Sequence, residues 1–291
     1  MGIPLSAHGA DSVAHPKLSV RVSPRAATFY LVLAAYVATT VLVLVPSSPL
    51  LSLDQALAGL HLKAHHPAYR PWINGYVMFG QRGPATLAFL PFFVWIAWRQ
   101  RSKRPLVMLG TALVLLNVTV GVVKYATGRV GPYHVGDTAV HKIFAGGDIF
   151  PSGHVSNAVV LYGLLAWIAP QFRKLAITAA ALLSITVGLA TVYLRTHWFS
   201  DVLGGWFAGA LVLLSLPTVL PYAERVTDRV LGAIAQRYQR LRAARSYAPS
   251  HQWREVPAQG NVKPVSASAR SHRPAAVAMS LERLDEPTRV G

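Results

Sequence analysis

Six apolar runs, most of them bounded by charge or proline, decide what this chain can fold into. The first covers residues 26–45, between Arg25 and Pro46. The others cover 84–98, 105–123, 153–170, 175–194 and 202–220; the run 84–98 is short and is expected to begin earlier, near Trp72. About 20 apolar residues are needed to cross a bilayer as a helix. The pattern therefore predicts an all-α, polytopic integral membrane protein with six transmembrane helices in a bundle. Composition agrees: of 291 residues only 13% are charged and 53% are hydrophobic, whereas about a quarter would be charged in a soluble domain. The net charge of +17 would point to nucleic acid in a soluble chain. Here the basic residues lie mostly between and after the apolar runs, so the expected partners are anionic membrane lipids and not nucleic acid. The chain has no cysteine, which excludes disulfides, thiolate chemistry and cysteine-ligated metals.

Three regions follow. Residues 1–25 form a polar, basic arm with no cleavage-site pattern of a signal peptide. Residues 26–221 form the six-span membrane domain. Residues 222–291 form a basic tail, read as an amphipathic surface helix over 226–245 and then disorder. The turns 99–104 and 173–174 are short and purely basic, and both termini are basic. With six spans, all four fall on one face, which the positive-inside rule makes cytoplasmic. This predicts a multi-pass cell-membrane protein with both termini in the cytoplasm. The connection 124–151, the head of the run 153–170 and the segment 195–201 then meet at the extracytoplasmic surface.

Those three stretches carry the polar chemistry. His197 and Asp201 are four apart; on a helix they share a face, and a carboxylate behind an imidazole prepares it as nucleophile or base. His154 follows Ser152 and Gly153. Ser152 is a natural N-cap, and the N–H groups beyond it form an anion site that Gly153 leaves open to a phosphate oxygen. A histidine there can protonate a leaving alkoxide. Lys124 and Arg129 bracket a glycine-containing turn, and both side chains suit phosphate. Each feature alone has a plain structural role: helix cap, wet interfacial histidine, snorkelling cation. Their convergence on one surface, two histidines with a carboxylate and three cations, favours phosphoryl chemistry. His61, His65 and His66 lack an accompanying carboxylate and read as an interfacial loop, not a metal site. His134, Asp137, His141, Lys142 and Asp148 read as residues that shape or gate the pocket. Asn117 reads as a helix–helix hydrogen bond, and Gly204, Gly205 and Gly209 as close-packing positions.

The set resembles the signature of the type-2 phosphatidic acid phosphatase superfamily, membrane lipid phosphatases related to vanadium haloperoxidases. That signature is Lys, six residues, Arg-Pro; then Pro-Ser-Gly-His; then Ser-Arg, five residues, His, three residues, Asp. This chain supplies Lys124 through Pro132, Pro151 through His154, and Ala190-Thr191 through His197 to Asp201. The resemblance covers about residues 26–221. It implies hydrolysis of a lipid phosphate or pyrophosphate monoester through a phosphohistidine on His197, with Asp201 orienting it, His154 as general acid, Lys124 holding phosphate, and no metal or other cofactor.

Two positions depart from the pattern: Gly131 and Thr191 stand where the signature has arginine. Losing one preorganised donor costs on the order of 3–4 kcal/mol in a transition state. Arg129, two residues before Gly131, and Arg195, one helical turn after Thr191, are the expected replacements. With Lys124, Ser152 and Gly153 they complete the expected phosphate site. Two alternatives accompany the phosphatase reading: a phosphotransferase using the same intermediate, and a non-catalytic lipid-phosphate binder or transporter. The intact His154, His197 and Asp201 favour catalysis.

Overall fold

The computed structural model describes residues 23–132 and 143–246. Every regular element among the described residues is helical: α1 (Pro24–Leu44), α2 (Pro49–Gly59), α3 (Leu62–His65), α4 (Arg70–Val77), α5 (Arg82–Arg99), α6 (Arg104–Thr127), α7 (Gly153–Ile168), α8 (Arg173–Tyr193) and α9 (Phe199–Ser246). The expected N-terminal arm, the disordered end of the tail, and His134, Asp137, His141 and Lys142 lie outside the described residues. The chain divides into a unit ending at Gln239 and a second covering Arg240–Gly291. Of the second, the structure describes only the last turns of α9.

Local chemistry explains where the helices start and stop. Ser23 caps α1, its side chain accepting from Ala26 N at 3.2 Å, with Pro24 at the first helical position. Ser48 and Pro49 open α2 in the same way. Serine satisfies an orphan N–H, and proline lacks the N–H that the first turn would waste. Gly128, at φ 51°, closes α6 in the left-handed conformation that glycine adopts without strain.

Among the described residues, four helices are long and apolar enough to cross a membrane: Pro24–Leu44, Arg104–Thr127, Arg173–Tyr193 and Phe199–Ala243. The remaining two expected spans correspond to α5 and α7, of 18 and 16 residues. At about 1.5 Å per residue these fall short of a hydrocarbon core of about 30 Å. One boundary is corrected. The second run does not begin near Trp72: α4 and the 3₁₀ turn Met78–Gly80 end in an extended Gln81, and α5 starts at Arg82. Helix α9 continues through Pro217 and Pro221, beyond the last run, and takes in the helix expected over 226–245. Those prolines are four apart, so the N–H that Pro221 lacks is the one Pro217's carbonyl would have bonded.

The core joins α1, α5, α6, α7 and α9 through Tyr36, Phe93, Leu116, Leu161, Leu164 and Leu216. Apolar side chains also cover the outside. Val114, Val118 and Val122 form an exposed stripe along α6, and Leu182, Ile185 and Leu189 another along α8. Exposed apolar stripes on already apolar helices are the face a bilayer covers. As expected for Asn117, α5 and α6 share a hydrogen bond, from Arg82 to its side-chain oxygen. The close-packing reading of the α9 glycines also holds. A Cβ on Gly205 would lie 2.8 Å from Ser152 O, and one on Gly209 2.6 Å from Val159 Cβ. Helix α9 therefore lies directly against α7, head to head.

Candidate active site

The site forms where the heads of α7 and α9 meet the end of α6. Ser152 caps α7, its hydroxyl accepting from Val155 N at 3.4 Å. Its backbone N–H donates to Asp201 O at 2.9 Å. One hydrogen bond thus pins the start of α7 to the first turn of α9.

His197 precedes α9 rather than lying on it, so the pairing with Asp201 has a different cause from the helix-face argument. Asp201 lies in the first turn of α9 and reaches back, Oδ2 accepting from Trp198 N at 2.8 Å. This is the reciprocal half of a capping box. The same oxygen lies 3.5 Å from His197 Nδ1. Spacing four survives because the cap, not a shared helical face, brings the carboxylate under the ring. The His154 ring, at the head of α7, lies with its centroid 5.8 Å from that of His197 and tilted by 68°.

Lys124, in the last turn of α6, donates to the backbone carbonyl of Asp148. Its Cε is 3.8 Å from where a Cβ on Gly153 would be, which places the amine's stem beside the head of α7. The connection after α6 is drawn in by backbone pairing: Phe144 N to Thr127 O at 2.8 Å and Gly147 N to Gly128 O at 3.0 Å. Gly147 is obligatory there, because a Cβ would fall 2.1 Å from Arg129 O.

The two arginines expected near the phosphate have different surroundings. Arg129 is fully buried. Its Nη1 donates to Ser200 Oγ and to Asp201 Oδ1, each at 2.6 Å, and its Nη2 to Asp54 Oδ2 at 2.7 Å. It lies 5.5 Å from the Trp198 ring centroid. Its charge is directed at two carboxylates. Arg195 lies beyond the end of α8 at φ 60°. The same-face argument from Thr191 therefore does not apply, since the helix has ended at Tyr193. Arg195 nonetheless lines a small void with Asp54, His197 and Trp198. It also lines an adjoining cavity of about 440 Å³ with His61, Lys63, Arg70 and Pro132.

Thr191 is buried, its hydroxyl bonded to Gly188 O at 2.7 Å. Its carbonyl accepts from Thr196 N at 3.1 Å and so shapes the loop that carries His197. Gly131 is also buried; a Cβ there would meet Ile149 Cγ2 and Thr196 O at 3.4 Å. The histidines of the 61–66 segment bond locally, His61 Nδ1 to Gly59 O at 2.6 Å and His65 Nδ1 to Leu60 O at 3.0 Å.

One member of this site was not marked by the motifs. Asp54 of α2 is buried, and it accepts from Ser200 N at 2.8 Å, from Ser200 Oγ and from Arg129. Burial pushes its carboxyl above the ordinary carboxylate value, against the pull of the Arg129 charge and the Ser200 hydrogen bonds. The available signal was slight: one acid in an otherwise largely apolar helix.

Comparison with known proteins bears out the superfamily resemblance. Residues 105–225 match the model of the PAP2 superfamily. A 70-residue segment is 34% identical to the phosphatidylglycerophosphatase B of Bacillus subtilis (strain 168), covering 22% of this chain and 34% of that protein. The chain thus matches about a third of the length of that curated relative. The fold is similar to the crystal structure of a transmembrane PAP2-type phosphatidylglycerolphosphate phosphatase from Bacillus subtilis. That likeness has a TM-score of 0.51 at 22% identity and covers 67% of this chain and 94% of the other.

Proposed function

We propose that this protein is an integral membrane lipid phosphatase that works through a phosphohistidine on His197, at the extracytoplasmic surface of a six-span bundle with both termini in the cytoplasm. One observation carries the reading: two histidines face each other across 5.8 Å, one of them backed by a buried aspartate. With Nδ1 of His197 turned to Asp201, Nε2 is the nitrogen left for attack. Its lone pair forms the P–N bond as the bond from phosphorus to the lipid oxygen breaks. His154 gives that oxygen its proton, and the lipid leaves as an alcohol. Water then attacks phosphorus, the P–N bond breaks, and the water's proton passes to His154, restoring both rings. Asp201 stabilises the positive charge that His197 carries in the intermediate.

Lys124 and the N–H groups at the head of α7, opened by Gly153 and capped by Ser152, hold the non-bridging oxygens. Arg195 completes this grip from the cavity side. Arg129 acts through Asp201, a role that its hydrogen bonds support better than direct contact with phosphate. No step calls for a metal ion. The substrate class is a lipid phosphate or pyrophosphate, which the names of the two Bacillus subtilis relatives support. The same intermediate passed to an alcohol would make the protein a phosphotransferase.

The test is phosphate release from a panel of lipid phosphates by protein purified in detergent. His197→Ala should abolish it. Release that survives in that variant rules out the histidine mechanism, and no release from any lipid supports a lipid-phosphate binder.

A further inference from the structure

We infer that Asp54 is a positioning residue of the active site, a carboxylate contributed from outside the three motifs that aligns Asp201 and His197 through Arg129 and Ser200. The inference rests on the phosphohistidine reading above and deepens it.

Three observations meet at this residue. First, Asp54 and Asp201 grip the same guanidinium from its two amino groups, Nη2 at 2.7 Å and Nη1 at 2.6 Å, and all three side chains are buried. A guanidinium held at both ends cannot rotate without leaving a buried charge unpaired, which is strongly disfavoured. Second, Asp54 takes both the backbone N–H and the hydroxyl of Ser200. Ser200 directly precedes Asp201 in the first turn of α9, so Asp54 fixes the backbone from which the orienting carboxylate projects. Third, the charges do not cancel within the set. With both carboxylates ionised, one guanidinium leaves one negative charge in this set beside His197. That surplus is matched when the imidazole becomes cationic, as it does on forming the phosphohistidine. Within a buried network such a charge is felt more strongly than in water.

Among the described residues Asp54 makes no hydrogen bond to His197; it acts through Arg129 and Ser200, which meet Asp201. The charged and titratable groups around the imidazole are Asp201 on α9, His154 on α7, Lys124 on α6, Arg195 on the α8–α9 loop, Arg129 after α6 and Asp54 on α2.

The experiment uses the full-length chain in detergent and compares the parent, Asp54→Asn and Arg129→Gln with the double variant. The readouts are kcat and KM per folded protein, the pH profile of kcat/KM, and thermal melting. Asp54→Asn preserves volume and one acceptor oxygen but removes the charge. Its kcat should fall about 10- to 100-fold, the scale of hydrogen bonds to charged groups, with KM changed by less than about threefold, since only transition-state alignment is lost. The acid limb of its kcat/KM profile should move to lower pH, because the set beside the imidazole loses its surplus negative charge. The double variant should be no worse than Arg129→Gln alone, as for two residues on one chain of contacts.

A loss of activity that only tracks the loss of folded protein, with an unmoved pH limb, overturns the assignment in favour of a purely structural carboxylate. Unchanged kcat in a folded Asp54→Asn protein overturns it outright. If the parent itself releases no phosphate, or releases it equally well as His197→Ala, the phosphatase reading fails and the assignment fails with it. An active parent with a dead His197→Ala and an unaffected Asp54→Asn isolates the failure to Asp54.

Discussion

Two loops each bring an arginine to the same site, and they do opposite things with it. The turn after α6 folds Arg129 inward, where it loses all solvent exposure and meets two aspartates. The loop between α8 and α9 leaves Arg195 half-buried on the wall of a cavity. Sequence spacing treats them as equivalent stand-ins for the arginines absent at Gly131 and Thr191. Burial separates them. A guanidinium held between two carboxylates has its charge already met, whereas the other lies on the wall of an opening. Nearness in sequence to a missing ligand is therefore weaker guidance than the charge already waiting where the side chain lands.

The sharpest way to break this contrast is Arg129→Ala. It leaves Asp54 and Asp201 as uncompensated buried charges, so it should destabilise the protein by about 3–5 kcal/mol and abolish phosphate release. Thermal melting and release assays on the same preparation check both. Arg195→Ala should leave the melting temperature within error and lower kcat/KM by about 10- to 100-fold, mostly through KM. A fall in stability equal to that of Arg129→Ala would erase the distinction. Ionic strength sharpens it further. Raising salt from about 0.1 to 1 M shortens the Debye length from about 10 to 3 Å, so KM of the parent should rise, and the KM ratio of Arg195→Ala to parent should shrink. The stability gap of Arg129→Ala should persist. The smallest effect is Ser152→Ala, which removes a cap shared by neither arginine. It should cost about 1 kcal/mol of stability, read as a modest drop in melting temperature.

Much of this architecture is legible in the sequence. Hydropathy marks long helices because a bilayer demands apolar side chains all round, and α1, α6, α8 and α9 answer that demand. His154, His197, Asp201 and Lys124 converge as expected, since each lies at a helix end and helix ends gather at one surface. What stayed hidden depended on three dimensions. Asp54 lies 75 residues from Arg129 and 146 from Ser200 in sequence, and an acid in a short apolar helix carries no local sign of its partners. The route by which Asp201 reaches His197 is equally hidden, because i,i+4 spacing fits a helical face and a capping box equally well. Arg195 looked helical because periodicity does not reveal that α8 stops at Tyr193. The join of α9 through Pro217 and Pro221 stays hidden for a related reason: proline reads as a stop in sequence, while each of these two removes only one rung of the hydrogen-bond ladder and the helix runs on.

Helix α2 precedes the stretch matched to the superfamily by 46 residues, from Gly59 to Pro105. The proposed active site is consequently not a portable cassette. A chimera that carries residues 105–225 onto another membrane scaffold would bring the histidines, the lysine and the buried guanidinium, and leave behind the carboxylate that balances them. Any such graft has to import α2 as well, or supply an acid of its own at the same depth.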